Sequence, residues 1–341
     1  MFRYCFSEMF RSSAIVLLVV GSLCGTSTAS AEDEKLASFN AMFDRISNWG
    51  RWGPEDQLGT LNLITPEKRR NAANLVQAGL TASLARNMDK KPNPINFAPI
   101  KHMPFLFEPE ALGIDPSEAQ EAAGDVFEIN YHGFSHTHLD AVNHFARNGK
   151  MYNGYPFKLT KSGGFADLGI EHIGVNGIVS RGVLVDFPAL MGKDYVPAGT
   201  RLTVADLEAW EAKSGVKISS GDVLLIRTGR WQEVAARGYW PFADKAAGLD
   251  YTVAEWLKAR DVAAIGCDGV SDVMPSGVPT KLNPLHELVI VGLGMPIFDN
   301  MDLDRLAAEM ARLNRSTFLF SATPIRIEGA TGAPLNPIAV Y

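Results

Sequence analysis

Four short apolar runs, each bounded by Gly, Asp or Pro, constrain the fold more than any other feature of this chain. They are Gly182 to Asp186, Asp222 to Arg227, Val262 to Gly266 and Leu288 to Gly292. All are continuous rather than alternating, and β-branched residues recur in them. Runs of this length and composition suit strands buried on both faces. Helix signals fall between some of them. Thr65-Pro66-Glu67 opens a helix that Gly79 ends, with proline at the first helical position. Thr203 to Asp206 and Thr252 to Glu255 read as capping boxes, the second matching better, and Asp302 to Leu313 carries an apolar stripe at helical spacing. The expected architecture is α/β, a mixed β-sheet core with flanking helices. The tail reads as a strand over Ser316 to Ile325, then a Gly-rich turn over Ile327 to Pro334. Those glycines do not open a helix, so a turn accounts for them better than a phosphate loop.

The first thirty-one residues read as a signal peptide rather than as fold. Arg3 and Arg11 precede the apolar run Ala14 to Leu23, and Ala29-Ser30-Ala31 follows as a small-x-small cleavage site. The run is too short to span a bilayer, although a plain N-terminal anchor is the competing reading. An exported, soluble chain beginning near Glu32 is expected, periplasmic or secreted, with residues 32–341 as a single domain. Of three cysteines only Cys267 would remain, which excludes an internal disulfide and leaves core packing to hold the fold. Its apolar surroundings suit a buried small hydrophobe. The net charge of −6, without a basic stretch, argues against nucleic acid. No later run is long enough to cross a membrane.

Chemistry concentrates between Tyr131 and His144. Four of the seven histidines, His132, His136, His138 and His144, fall there with Asp140 among them. Imidazole nitrogen and carboxylate oxygen are the donors that bind borderline divalent ions such as zinc or manganese. In an extended segment, residues two apart share a face, so His132, His136, His138 and Asp140 can converge. His144, beyond the turn-prone Asn143, would approach at another angle, where it could move protons. Those four could close one structural site. An open site, with an aspartate bridging two ions, is the alternative we favour. Distant donors are available in His286, after Asn283-Pro284-Leu285, and in Asp299, although each is weak alone. Trp49, Trp52, Phe134 and Tyr152 are candidates for an aromatic substrate wall, with a core role as the alternative for each.

The segment Thr137-His138-Leu139-Asp140-Ala141 with His144-Phe145 resembles the signature of the cyclase-like metal-dependent hydrolases, the group of bacterial kynurenine formamidase and isatin hydrolase. Support comes in order along the chain from Arg51-Trp52-Gly53-Pro54, Lys150 to Gly154, Gly221 to Gly229, Gly266-Cys267-Asp268-Gly269, His286 and Gly294 to Asn300. The resemblance implies the swivelling β/β/α form of the α/β fold and one or two divalent ions, zinc or manganese, per site. It casts His138 and Asp140 as ligands, Asp140 as a bridge, His144 as the proton-transferring residue and His286 as a ligand of a second ion. Asp299 stands where the family usually has glutamate. The family's first ligand would fall at Phe134, which cannot ligate. His132 or His136 therefore takes that role, with His132 preferred because Gly133 follows it.

The implied activity is hydrolysis of an amide, lactam or ester bond in a small molecule, with His144 as general acid and base. A metal-dependent lyase or cyclase, or a periplasmic metal or small-molecule binder, are the alternatives. Export weakens the kynurenine formamidase activity itself, because that enzyme serves a cytoplasmic pathway. The expected assembly is a homo-oligomer.

Overall fold

The computed structural model describes residues 25–108, 113–115, 117 and 120–341. The apolar run of the expected signal lies outside the described residues. The first described helix, Gly25–Ile46, runs through the expected cleavage position and buries Phe39, Met42, Phe43 and Ile46. A chain starting at Glu32 would keep that buried face whole. Among the described residues no helix is long and apolar enough to cross a membrane.

Thirteen strands are described: β1 (Thr81–Ser83), β2 (Lys101–Leu106), β3 (Ala123–Glu128), β4 (His138–Asp140), β5 (Ile178–Asp186), β6 (Arg201–Leu202), β7 (Val223–Arg227), β8 (Gly248–Leu249), β9 (Ala264–Cys267), β10 (Ile297–Asp299), β11 (Thr317–Ala322), β12 (Gly332–Pro334) and β13 (Ile338–Val340). Nine form one sheet in the order β1-β13-β11-β5-β7-β9-β10-β4-β12. Its centre, β5-β7-β9-β10, is parallel, and every pair outside that block is antiparallel. The expected mixed sheet is therefore present. The strands β2 and β3 form a separate hairpin, and β6 pairs with β8.

Alternation along the central strands divides the core into two layers. Val183, Val185, Leu224, Ile226 and Ile265 face one cluster, which takes in Leu207 and Trp210, Trp256 and Leu257, and the run from Leu288 to Val291. Leu184, Val223, Leu225 and Ala264 face the other, with Ile170, Ile173, Leu306 and Met310. Strands covered by helices on both faces need apolar residues at consecutive positions, which is why these runs do not alternate. Each buried Val, Leu or Ile side chain among them contributes about 1.5–3 kcal/mol.

Four local expectations differ from the structure. Leu288 to Gly292 is helical, within the π-helical segment Glu287–Leu293, because a fully buried helix shows the same unbroken apolar run as a buried strand. The capping boxes exchange rank: Asp206 reaches back to the backbone N–H and hydroxyl of Thr203 at 2.7 Å, whereas Thr252 donates to Asp250 outside its helix. The helix after Thr65 does have its cap, Thr65 Oγ1 accepting from Lys68 N at 3.1 Å, but it ends at Ala73, well before Gly79. In the tail, Gly332–Pro334 is not turn but β12, lying against β4.

One close backbone approach packs Gly59 against Gly294, a few residues before β10. Gly59 has φ +57°, and a Cβ there would lie 1.9 Å from Gly294 O and 2.7 Å from Gly294 Cα. Backbone on backbone cannot be relieved by a rotamer change. Gly59→Ala is therefore expected to lower stability by more than the ~1–2 kcal/mol of a left-handed alanine. Urea unfolding checks this, and a midpoint equal to that of the wild type would contradict the assigned packing.

Candidate metal centre

The cluster lies at the carboxyl ends of the parallel strands β9 and β10, where open α/β sheets characteristically place their ligand sites. Antiparallel pairing sets Asp299 opposite His138 and Ile297 opposite Asp140. On its other side β4 meets β12, Gly332 opposite Asp140. This three-residue strand is held between two neighbours and wholly buried. His286 comes from the turn Pro284–His286 that leads into the π-helical segment.

Two donor groups share one carboxylate. His132, His138 and Asp140 each offer an atom within 4.8 Å of the others, and so do Asp140, His286 and Asp299. Asp140 Oδ1 lies 3.0 Å from His132 Nδ1 and 3.3 Å from His138 Nε2. Its Oδ2 lies 3.7 Å from both His144 Nε2 and His286 Nε2, and His286 Nε2 is 3.4 Å from Asp299 Oδ2. Despite these approaches, His132 Nδ1, Asp140 Oδ1 and Asp299 Oδ1 are buried without a hydrogen-bond partner. Buried polar atoms of a folded protein are rarely left so. Lone pairs converging from imidazole and carboxylate suit a divalent cation.

The opposite nitrogen of each histidine is already tied. His132 Nε2 meets Thr331 Oγ1 at 2.9 Å, His138 Nδ1 donates to His136 O at 2.8 Å, and His286 Nδ1 meets Asp272 Oδ2 at 2.6 Å. Such outer partners fix the tautomer and ring orientation of metal-binding histidines. Charge points the same way. Asp140, Asp272 and Asp299 are three buried carboxylates in one pocket. Burial disfavours a charged His286, yet Asp299 and Asp272 hold its pKa well above the usual range. A cation would answer that negative field.

His144 stands apart from both groups. Its ring stacks on His132 with centroids 3.9 Å apart and planes 6° from parallel. Burial pushes His144 down to about 4, Asp140 pulling upward and His132, His286 and His138 adding to the fall. The ring is therefore neutral at pH 7 and able to accept a proton. The side chains of His132 and His144 are 26% and 24% exposed, whereas those of His138, Asp140, His286 and Asp299 are at most 5%. The centre opens to solvent on the His132 and His144 side.

Of the expected residues, His132, His138, Asp140, His286 and Asp299 are brought together, with His144 beside them. His136 is not: its ring is buried outside both groups, Nε2 unpartnered, and its backbone carbonyl serves the loop instead. Tyr152 is fully buried, donating from its hydroxyl to Asp56 Oδ2 at 2.9 Å, so it belongs to the core and not to a substrate wall. Trp52 carries Arg51 over its ring at 4.7 Å, and Arg51 pairs with Asp261, which ties this tryptophan elsewhere. Trp49 is held by its indole N–H to Val291 O at 2.7 Å. Phe134, within the histidine loop, is half-buried against Phe242. The aromatic rings against the cluster are instead Tyr131, 4.5 Å from His132, and Phe145, 4.9 Å from His144 and 5.3 Å from His286. Their adjacency to histidines in the chain was the available signal. Cys267 is fully buried and burial pushes its thiol well above the ordinary value, so it is no nucleophile. Asp268 accepts from Thr228, Gly229 and Arg230 at the start of the helix Arg230–Arg237.

An α/β protein with a paired His/Asp donor set at the carboxyl end of its sheet is the class these features define. The chain belongs to the putative cyclase family, whose model matches residues 78–272. A solved structure described as a novel cyclase is 32% identical, with a TM-score of 0.77, covering 88% of this chain and 99% of its own. Isatin hydrolase A from Ralstonia solanacearum shares the fold at 23% identity and a TM-score of 0.53, over 76% of this chain and 91% of its own. Isatin hydrolase A from Labrenzia aggregata does so at 19% identity and 0.52, over 79% and 94%. Comparison with curated proteins gives no match.

Proposed function

We propose that this chain is an exported metal-dependent hydrolase that opens an amide, lactam or ester bond of a small molecule. The observation that carries the reading is the shared carboxylate: Asp140 joins two donor triplets in which His132 Nδ1, Asp140 Oδ1 and Asp299 Oδ1 are buried without a partner. His132, His138 and Asp140 would hold one ion, and Asp140, His286 and Asp299 a second, zinc or manganese. An ion held there supplies Lewis acidity, polarising a carbonyl oxygen and lowering the pKa of water.

The remaining work falls to the chain. His144, neutral and on the open side, takes the proton of the attacking water as its oxygen bonds to the carbonyl carbon. It then returns that proton to the nitrogen or oxygen that leaves as the old bond breaks. Stacking on His132 holds the ring in place for both transfers. Tyr131 donates its hydroxyl to Gly332 O at 2.8 Å, so with Phe145 it offers a wall rather than an acid.

Protein purified without chelator should contain zinc or manganese by elemental analysis. It should hydrolyse members of a panel of N-formyl aromatic amines, cyclic imides and lactones. Chelation should abolish turnover and lower the melting temperature, and the missing ion should restore both. An ion present at 100 times its Kd stabilises by about 2.7 kcal/mol. Turnover that survives complete removal of the ion, or a metal-loaded protein inert on the whole panel, would end this reading. Export rests on the run Ala14 to Leu23 and on Ala29-Ser30-Ala31. N-terminal sequencing of periplasmic protein should begin near Glu32.

A further inference from the structure

The loop that delivers His132 has no regular structure of its own. Residues 131–137 lie between β3 and β4 outside any helix or strand. Its carbonyls are instead taken by two side chains from distant elements. Arg230 Nη2 donates to Phe134 O at 2.5 Å, and Arg230 Nη1 donates to Asn300 Oδ1 at 2.6 Å and to Asp268 O at 3.4 Å. Asn300 Nδ2 then donates to Gly133 O at 2.7 Å and to His136 O at 3.2 Å, and Thr137 Oγ1 donates to Asn300 O at 2.7 Å.

Arg230 is placed for this by its surroundings. It opens the helix Arg230–Arg237, is 2% exposed, and lies over Phe242 at 3.7 Å and Trp231 at 4.4 Å. A guanidinium is rarely buried so completely unless it is paired. Here its donors go to neutral oxygens, Phe134 O of the histidine loop, Asp268 O and the amide oxygen of Asn300. A planar fork of donors suits two acceptors at once, which an ammonium cannot match.

We propose that Arg230 and Asn300 form a clamp that positions His132 for ion binding. Arg230 bonds none of the donor atoms, and Asn300, although it follows Asp299 in the chain, gives its side chain to Arg230 and the loop rather than to the centre. They act through Gly133 O, Phe134 O and His136 O, and the last also accepts from His138 Nδ1, so one clamp serves both histidines of the first triplet. The clamp rests on the metal reading above and adds to it residues that set ion affinity from outside the ligand set.

Ion affinity, read by competition with a chromophoric chelator using Zn²⁺ and Mn²⁺ as probes, tests this in the full chain. Arg230→Met keeps the packing against Phe242 and loses the donors. It should weaken binding about 10–100-fold, as loss of outer partners of metal ligands does. Arg230→Lys should recover part of the loss. In a His132→Ala background, Arg230→Met should cost clearly less than in the wild type, because one of the two histidines the clamp serves is already gone. If Arg230→Met does not fold, Asn300→Gly opens the same clamp, at a φ of +54° that glycine adopts freely. Unchanged affinity in the folded clamp variant, or losses that multiply in full with His132→Ala, would overturn the clamp. A wild type that binds neither ion would instead overturn the metal reading and the clamp with it.

Discussion

Asp140→Asn is expected to leave a folded protein that neither retains its ion nor turns over substrate. Asp140 is the only member common to both donor triplets. Its two oxygens divide between them, Oδ1 towards His132 and His138, Oδ2 towards His144 and His286. Asparagine keeps the shape and hydrogen-bonding size, so the strand pairing of β4 should survive. It removes the negative charge and turns one acceptor into a donor facing imidazole nitrogens. Changes one shell further out already cost about 10–100-fold in affinity. Loss of the shared ligand should therefore exceed about 100-fold, with ion content near zero after dialysis and activity at background. Circular dichroism separates this from misfolding. Stoichiometric ion in folded Asp140→Asn protein would remove Asp140 from the ligand set.

His144→Ala should do the reverse: keep the ion and lose the rate. General acid–base catalysis by a positioned side chain is worth about 10²–10⁴-fold, or about 2.7–5.5 kcal/mol of barrier. His144 lies outside both triplets, so elemental analysis should find the wild-type ion content. Its pH signature follows from sign. The base must be unprotonated, burial holds it down to about 4, and a nearby cation would press it lower. The wild-type rate should fall only as pH drops through about 4 or below, and the limb belonging to His144 should be absent from the alanine variant. A variant that loses its ion would transfer His144 to the ligands.

Much of this was readable in the chain because the signals were local. Val183 to Val185 and Val223 to Ile226 announce buried strands by unbroken apolar composition, and that composition follows directly from helices on both faces. His138 and Asp140 share a face because strand residues alternate. Leu288 to Val291 failed by the same logic, since burial on all sides erases the difference between helix and strand periods. Gly332–Pro334 failed because glycine and proline advertise turns, and only the partner strand β4 makes them β. Asp272, Arg230 and Thr331 carried no pattern of their own, and Asn300 only closed a segment that supported the resemblance. Each is a single polar residue in ordinary surroundings. Its role appears only when another chain segment arrives beside it, from 14 residues away for Asp272 and His286 to 199 for His132 and Thr331. His136, by contrast, matched the strand spacing, yet the segment before His138 is loop rather than strand, and its ring turns elsewhere.

The position of β4 also sets a timetable. This strand is gripped by β10 and β12, both drawn from the last 45 or so residues, and His132 leans on Thr331. Contacts so distant in sequence form late, since their loop-closure cost must be met before they stabilise anything. A chain emerging from the ribosome carries its histidines ready but has no Asp299 and no Thr331 to complete their setting. Ion capture is thus expected to close maturation rather than to nucleate it, and a nascent chain truncated before β10 should pass through metal-containing surroundings without taking up metal at this centre.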